Sequence, residues 1–399
     1  MTILYLHQYF NTPSMPGSTR SYEFAQRLVA RGDVVHMVTS NWQGKSNSSF
    51  SIEKGINVYW APLRYSNKMN FTYRIITFFR YLWFVYIIGK KLNYDLIIAS
   101  STPLTIAIPA LWFKKIKKAK LVLEIRDLWP QLPIAIGALK SPILIKLAKL
   151  LATKAYSNSD KIIALSTGME LELKKIISSN KVSVVTNISD IKRFNISSNM
   201  GINFRKSISI SNDTPLIVYS GSFGRINGLS YIVQIAKEMR MINKHVKFLL
   251  VGDGYEKEKI ISEAKSYGLL NDSIIIMDYL PKEQMPNVLS AATITTSFFI
   301  NIPEMEHNSA NKFFDGLAAE RPIIINYGGW QAELLQKYKA GIIIPHNNPK
   351  QAANMLNKLL IDSNMLENMS KASKNLALQF SLNTNYQKFE KVIDDAYKS

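Results

Sequence analysis

The chain has no cysteine among its 399 residues. That excludes a disulfide framework, a thiolate metal centre and a cysteine nucleophile. Histidine is also scarce: the five, at His7, His36, His245, His307 and His346, show no metal-ligand spacing. Long apolar runs are missing. Phe71 to Gly89 is broken by Arg74 and Arg80, and Leu96 to Phe113 contains Pro103, Pro109 and a Ser100-Ser101-Thr102 cluster, so neither supplies the ~20 apolar residues of a membrane span. Met1 to His7 runs straight into a strand-like stretch with no basic leader or cleavage site, which predicts a cytoplasmic protein. Acidic residues are few in one half only. Residues 1–187 hold 25 Lys and Arg against 9 Asp and Glu, whereas the remainder holds 24 against 20. A charge segregated in this way points to an anionic partner, either nucleic acid or an acidic membrane surface.

What is present is a repeated strand-helix alternation. Ile3 to His7 is a short apolar strand, followed by a loop rich in Asn, Pro, Ser and Gly, a helix near 21–30 and a strand at Val34 to Thr39. Further strands are expected near Val58 and over 95–99, 120–125, 161–165 and 182–185, with helices near 72–91, 103–116, 141–156 and 167–178. A second series starts at Leu216 and adds strands over 246–251, 273–277, 293–298, 323–325 and 342–344. Short Ile/Val/Leu-rich strands of this kind suit parallel sheets covered on both faces. The predicted organisation is α/β: a Rossmann-like doubly wound domain over 1–187, a polar linker over 188–212, a second Rossmann-like domain over 213–380 and a C-terminal helix over 381–399, with ligands in a cleft at the carboxyl ends of the strands.

The densest motif is His307-Asn308-Ser309-Ala310-Asn311-Lys312-Phe313-Phe314-Asp315, running on to Pro322. Asn308 or Ser309 is expected to cap a helix starting near Ala310, which puts Lys312 and Asp315 on one face at its first turns. Backbone N–H groups and a lysine favour phosphate, and a carboxylate can accept hydrogen bonds from ribose hydroxyls, so the motif suits a nucleotide diphosphate. The plainer alternative is an exposed Lys312–Asp315 ion pair on an amphipathic helix.

Three strand-end turns share that chemistry. Gly221 to Gly228 offers glycines, including Gly221 and Gly224, for backbone approach to an anion and Arg225 for a two-point phosphate contact. Gly252 opens a similar turn, and Gly17 and Ser18 occupy the corresponding turn of the first domain. Glu124 to Pro130 ends a strand in polar residues; Arg126 and Asp127 are expected at the substrate, although Glu124 and Arg126, on one side of the strand, could simply pair. No Asp-x-Asp occurs, which argues against a metal-dependent nucleotide-sugar site of the single-domain kind, and Glu304-Met305-Glu306 reads as a solvated loop. The basic charge concentrates in two aromatic stretches. One contains Arg74, Arg80 and Trp83; the other contains Trp112, Lys114, Lys115, Lys117 and Lys118. Apolar and basic groups side by side describe a surface that dips into an anionic bilayer, and no nucleic-acid motif accompanies them.

With these residues in place the chain resembles glycosyltransferase family 4, of the two-domain GT-B architecture. More narrowly it resembles the WbuB-type N-acetyl-L-fucosamine transferases of surface-polysaccharide assembly. The resemblance rests on Leu6-His7-Gln8-Tyr9-Phe10, Gly17 to Arg20, Arg126 to Pro130, Ile163 to Ser166, Gly221 to Gly228, and Asn308 to Gln331. It implies a retaining transfer of a sugar from a UDP donor to a polyprenyl-diphosphate-linked saccharide in O-antigen or capsule synthesis, without cofactor or metal, at the inner face of the cell membrane. Asp315 matches the second glutamate of the family's Glu-x7-Glu signature, which binds ribose, and Arg225 matches the arginine facing the diphosphate. Three positions depart from the pattern: the companion lysine is Asn227, with Lys312 placed to replace it; the first glutamate is His307; and the active-site histidine is Arg126. A nucleotide-sugar epimerase of the same fold and an inactive membrane-surface nucleotide binder are the alternatives.

Overall fold

A computed structural model describes residues 1–41, 48–63 and 71–399, apart from the side chains of residues 71, 72, 74 and 75; Arg74 therefore lies outside the described side chains. The chain divides into two compact units. The first comprises residues 1–12, 18–186 and 385–399. Its strands are β1 (Thr2–Leu6), β2 (Val34–Ser40), β3 (Ser49–Glu53), β4 (Ile56–Ala61), β5 (Leu96–Ser100), β6 (Lys120–Ile125), β7 (Lys161–Ala164) and β8 (Val182–Val184). They form one sheet in the order β3-β4-β2-β1-β5-β6-β7-β8. Apart from antiparallel β3–β4, neighbouring strands are parallel. The helices are α1 (Arg20–Ala30), α2 (Phe71–Lys91), α3 (Ala107–Lys117), α4 (Gln131–Ala135), α5 (Pro142–Asn158) and α6 (Thr167–Lys174). Every residue of β5 is buried, as a strand covered on both faces requires.

The β3–β4 hairpin is absent from the sequence-based expectation, which has one strand near Val58. Its signal is legible nonetheless: Ser49-Phe50-Ser51-Ile52-Glu53 alternates, and Lys54 and Gly55 turn the chain with φ of 51° and 84°.

The second unit comprises residues 13–17 and 187–384. Strands β9 (Leu216–Ser220), β10 (Lys247–Val251), β11 (Ile274–Met277), β12 (Ile294–Ser297), β13 (Ile323–Ile325) and β14 (Gly341–Ile343) form a wholly parallel sheet in the order β11-β10-β9-β12-β13-β14. Helices α7 (Ile191–Phe194), α8 (Ser198–Ser207), α9 (Ser230–Ile242), α10 (Lys257–Ser266), α11 (Met285–Ala291), α12 (Asn311–Ala318), α13 (Trp330–Tyr338), α14 (Pro349–Ile361) and α15 (Ser363–Gln379) surround it, and α16 (Leu382–Lys398) closes the chain. Both units are Rossmann-like.

Two expected boundaries change. The stretch 188–212 is not a free linker. It holds α7 and α8, capped by Asp190 and Ser197, and the side chain of Arg205 donates to the carbonyls of Ser211, Thr214 and Ala291. Its Ser and Asn residues read as loop because capping and turn chemistry use the same residue types. The C-terminal helix is not a separate element either, because from Asn385 on it belongs to the first unit. There Phe389 packs on Phe24 at 4.6 Å and Arg31 binds Glu390 and Asp394.

Candidate functional site

In the second sheet the chain builds outward from β9 in one direction through β10 and β11, then in the other through β12, β13 and β14. The loops after β9 and β12 therefore leave the sheet in opposite directions, which opens a crevice at their carboxyl ends. The Gly221–Gly228 loop follows β9 and the segment leading into α12 follows β12.

The loops after β9 and β10 are held against each other. A Cβ on Gly252 would lie 1.8 Å from the Gly221 carbonyl oxygen, so only glycine permits this approach. Phe223 N–H donates to Asp253 O and Glu256 N–H to Phe223 O, both at 2.9 Å. Gly224 has an extended backbone, and a Cβ there would meet Ser222 Oγ at 3.5 Å and Asn227 Nδ2 at 3.7 Å, ordinary contact distances, so its glycine is not required sterically. Arg225 begins a 3-10 turn, is exposed, and places its guanidinium 5.3 Å from the Tyr255 ring centroid. Asn227, two residues on, is buried; its amide donates to Ser222 O at 2.9 Å, and its Oδ1 accepts from Lys312 Nζ at 2.6 Å.

Lys312 thus reaches the position occupied by Asn227. Its ammonium also lies 3.3 Å from Tyr219 Oη and 4.8 Å from the ring centroids of both Tyr219 and Phe299. Burial without a carboxylate pushes its pKa down to about 7. Asp315 goes elsewhere. It accepts from Lys282 Nζ at 2.5 Å, and both side chains are nearly enclosed. The alternative of an exposed Lys312–Asp315 pair is therefore excluded: the two residues start on one helical face but have different partners.

The cap differs from expectation. Helix α12 starts at Asn311, its N-cap position is Ala310, and no side chain caps it. Asn308 and Ser309 instead use their carbonyls, accepting from Trp330 Nε1 and Asn187 Nδ2. The Ser309 hydroxyl is buried with no hydrogen-bond partner. Behind this end, Phe313, Phe314 and Leu317 fill the core. Gly316 lets the helix press on β12, since a Cβ there would sit 2.4 Å from Thr295 Oγ1. His307 ends the 3-10 turn Pro303–His307 and is partly buried.

In the first unit the strand order reverses between β1 and β5. The turns there carry a buried polar cluster. Glu124, fully buried at the end of β6, accepts from Arg20 Nη1 and from Ser100 Oγ. Both carboxylate oxygens are thereby occupied, so the simple Glu124–Arg126 pair is replaced by Glu124–Arg20. Burial opposes the Glu124 charge, but Arg20 and Arg126 hold its pKa at about 2. Arg126 has one guanidinium nitrogen buried without a partner, and burial lowers its pKa. Asp127 accepts from Thr102 Oγ1 at 3.0 Å, while burial raises its pKa. His7 and Gln8 directly follow β1. Both are buried; His7 Nδ1 and both Gln8 amide atoms lack partners, and burial beside Arg126 takes the His7 pKa down to about 3. Sequence reasoning omits these two as site residues, although polar residues abruptly ending an apolar strand were the available signal. Gly17 belongs to the second unit and Ser18 to the first.

Among the expected surface residues, Arg80, Lys115 and Lys118 are exposed, with Trp83 at 65% and Trp112 at 38%. Lys114 is not free for a partner: it is drawn into an ion pair with Asp160 at 2.7 Å and also donates to Asn158 O. Lys117 donates to the Lys90 carbonyl at 3.2 Å.

Residues 17–193 match the model of Glycosyltransferase Family 4, and residues 202–376 match that of Glycosyl transferases group 1. Among curated relatives, the putative colanic acid biosynthesis glycosyl transferase WcaI of Escherichia coli is 24% identical over 62% of this chain and 65% of its own length. The alpha-D-kanosaminyltransferase of Streptomyces kanamyceticus is 21% identical over 43% of each. The matches thus span less than two thirds of those relatives' lengths. In fold, the chain is similar to Anabaena HepE, solved in complex with UDP and glucose, with a TM-score of 0.73, 15% identity and 99% of both chains covered. Residues 17–193 thus belong to Glycosyltransferase Family 4 and residues 202–376 to Glycosyl transferases group 1, and the chain is a glycosyltransferase of GT-B fold built of two Rossmann-like units.

Proposed function

We propose that the protein is a retaining glycosyltransferase that moves a sugar from a UDP donor to a polyprenyl-diphosphate-linked saccharide in O-antigen or capsule synthesis. N-acetyl-L-fucosamine is the proposed sugar. The observation that carries the donor side is the grouping at the β9/β12 crevice. Lys312 sits on Asn227, Arg225 is exposed with an aromatic ring for support, an unpartnered Ser309 hydroxyl lies beside an uncapped helix start, and Asp315 stands one turn further on. The UDP bound by the similar HepE structure agrees with this reading. Gly221, Gly252, Ala310 and Asn311 supply backbone near the diphosphate in this proposal, and His307 faces the sugar.

In the reaction the anomeric C–O bond breaks with its electron pair passing to the diphosphate, and the acceptor oxygen takes its place while giving its proton to an oxygen of the departing diphosphate. Arg225 and Lys312 stabilise the charge that accumulates on the leaving diphosphate. Each such donor is worth about 2.7–4 kcal/mol in a transition state. Arg126, whose free guanidinium nitrogen is buried, and Asp127, whose carboxyl is raised in pKa, are assigned to the acceptor, together with His7 and Gln8. The basic aromatic surface of α2 and α3, with Arg80, Trp83, Trp112, Lys115 and Lys118, holds the enzyme to the anionic inner face of the membrane. No helix among the described residues is long and apolar enough to cross it.

The test is UDP release from UDP-N-acetyl-L-fucosamine and other UDP-sugars. Release that depends on a lipid-diphosphate saccharide supports transfer. Interconversion of sugar nucleotides without acceptor would establish the epimerase instead, and tight nucleotide binding with neither reaction would establish a binding protein.

Asp315 provides a second test. Asp315→Ala would strand a nearly buried Lys282, so a loss of binding could reflect a loss of fold. Asp315→Asn keeps a hydrogen-bond acceptor for Lys282. It is expected to weaken UDP by about tenfold and to reduce the preference for UDP over its 2′-deoxy analogue, as calorimetric titration would read. An unchanged preference between the two nucleotides would remove Asp315 from the ribose.

A further inference from the structure

We propose that α5 forms, with the outer faces of α2 and α3, a docking surface for an anionic bilayer, in which a ridge of Ile143, Leu147 and Leu150 enters the apolar layer. The inference rests on the lipid-linked acceptor proposed above and assigns the insertion to an element outside the two aromatic stretches.

The three ridge residues recur at i, i+4 and i+7, so they form one stripe along the helix. They are 73%, 56% and 54% exposed, which leaves large aliphatic side chains uncovered on a seventeen-residue helix. Lys146 and Lys154 are exposed on the same outward side, and Lys149 is exposed at its flank. The opposite side, through Ala152, Ala155 and Tyr156, anchors the helix in the core. The stripe is therefore a true surface feature and not a core face opened by poor packing.

The surface is continuous with its neighbours. Helix α3 packs against both α2 and α5. It exposes Ile108, Trp112 and Ile116 at i, i+4 and i+8, while α2 exposes Phe79 and Trp83. Tyr86 links the two, stacking on Trp83 at 5.6 Å and meeting Trp112 at 4.8 Å. Isolated apolar residues on a protein surface are ordinary, but adjacent stripes on three packed helices mark an interaction site.

Charge selects the occupant. None of the three helices contains an Asp or Glu, although all three carry Lys or Arg. A second copy of the chain would set cations against cations, with no acid to answer them. A nucleic acid would use the lysines and leave the aliphatic ridge without a role. A bilayer surface uses both: the ridge reaches the acyl boundary and the lysines meet anionic headgroups.

The test uses the full chain and sedimentation with phosphatidylglycerol/phosphatidylcholine vesicles, against phosphatidylcholine alone. The triple variant Ile143→Ser, Leu147→Ser, Leu150→Ser changes no charge and alters only exposed positions. It is expected to lower the partition onto anionic vesicles at least tenfold while leaving the melting temperature and UDP affinity unchanged. Lys146→Gln with Lys149→Gln is expected to lower it too, with a loss that fades as salt rises. If the wild type binds anionic vesicles and the triple variant binds equally well, the ridge proposal is overturned while the lipid-acceptor reading stands. If the wild type fails to bind yet transfers sugar to a detergent-solubilised lipid acceptor, the docking surface is overturned and the activity remains. A wild-type dimer in solution that the triple variant abolishes would assign the face to a second copy and overturn the proposal.

Discussion

Replacing Lys312 with methionine is expected to lower kcat/KM by about 10²–10³-fold, and moving the cation back through Asn227→Lys with Lys312→Asn is expected to restore it to within about tenfold. The first number is the usual consequence of removing one preorganised donor from developing charge, about 2.7–4 kcal/mol. The second follows from the 2.6 Å contact between Lys312 Nζ and Asn227 Oδ1. A side chain from the turn after β9 meets one from the first turn of α12 there, and exchanging them moves the ammonium by roughly a hydrogen-bond length while keeping the amide as its partner. Asn227→Lys alone puts two ammonium groups at that contact, so it is expected to impair the enzyme, and the double variant is expected to outperform both singles. A double variant no better than Lys312→Met would remove the charge role from Lys312.

The same lysine makes nucleotide binding pH-dependent. Its pKa is down to about 7 in the free protein, where burial opposes the charged form. A bound diphosphate favours that charged form. Below pH 7 the ammonium is already present; above it, binding must recruit a proton, so UDP affinity is expected to fall by up to about tenfold per pH unit between roughly pH 7.5 and 9. Calorimetry in buffers of different ionisation enthalpy reads the uptake directly. Lys312→Met should abolish it, and a wild type that takes up no proton would contradict the burial of the charge.

Much of this architecture is legible in the residues themselves. Short apolar strands ending in Gly, Asn or Ser locate the parallel strands, because in a doubly wound sheet burial on both faces and a loop at the carboxyl end impose that composition. Lys312 as a substitute for the lysine missing at 227 is also readable, since both positions follow strands that border the sheet's reversal. What the sequence does not carry is partner choice across long separations. Asp315 finds Lys282, thirty-three residues away, and Glu124 finds Arg20, at a separation of 104. No periodicity links such positions. The outer stripe of α5 is hidden for a different reason: Ile143, Leu147 and Leu150 give the pattern of a core-facing helix, and only packing on the other side reveals that they face outward.

Glu124→Ala is expected to destabilise the first unit by about 3–5 kcal/mol, the range for removing one partner of a buried ion pair. Arg20 and Glu124 are both fully buried, so the guanidinium left behind has no access to water. Replacing both by methionine should recover only part of the loss. Arg20 also donates to the carbonyls of Thr186 at 3.1 Å and Val185 at 3.0 Å, and each acceptor left unpaired costs about 1–3 kcal/mol. The pH dependence follows from the Glu124 pKa, held at about 2 when folded against 4.5 for an ordinary glutamate. A depressed carboxyl stabilises the fold above the unfolded pKa and loses that contribution as protons bind. Urea unfolding should therefore show wild-type stability falling between about pH 4.5 and 2, with a shallower fall in Glu124→Gln. Because β6 ends one residue after Glu124 and leads directly into Arg126 and Asp127, loosening this pair should also reduce transfer in variants that still fold. Equal stability of Glu124→Ala and wild type at pH 7 would show that the Arg20 charge is compensated elsewhere.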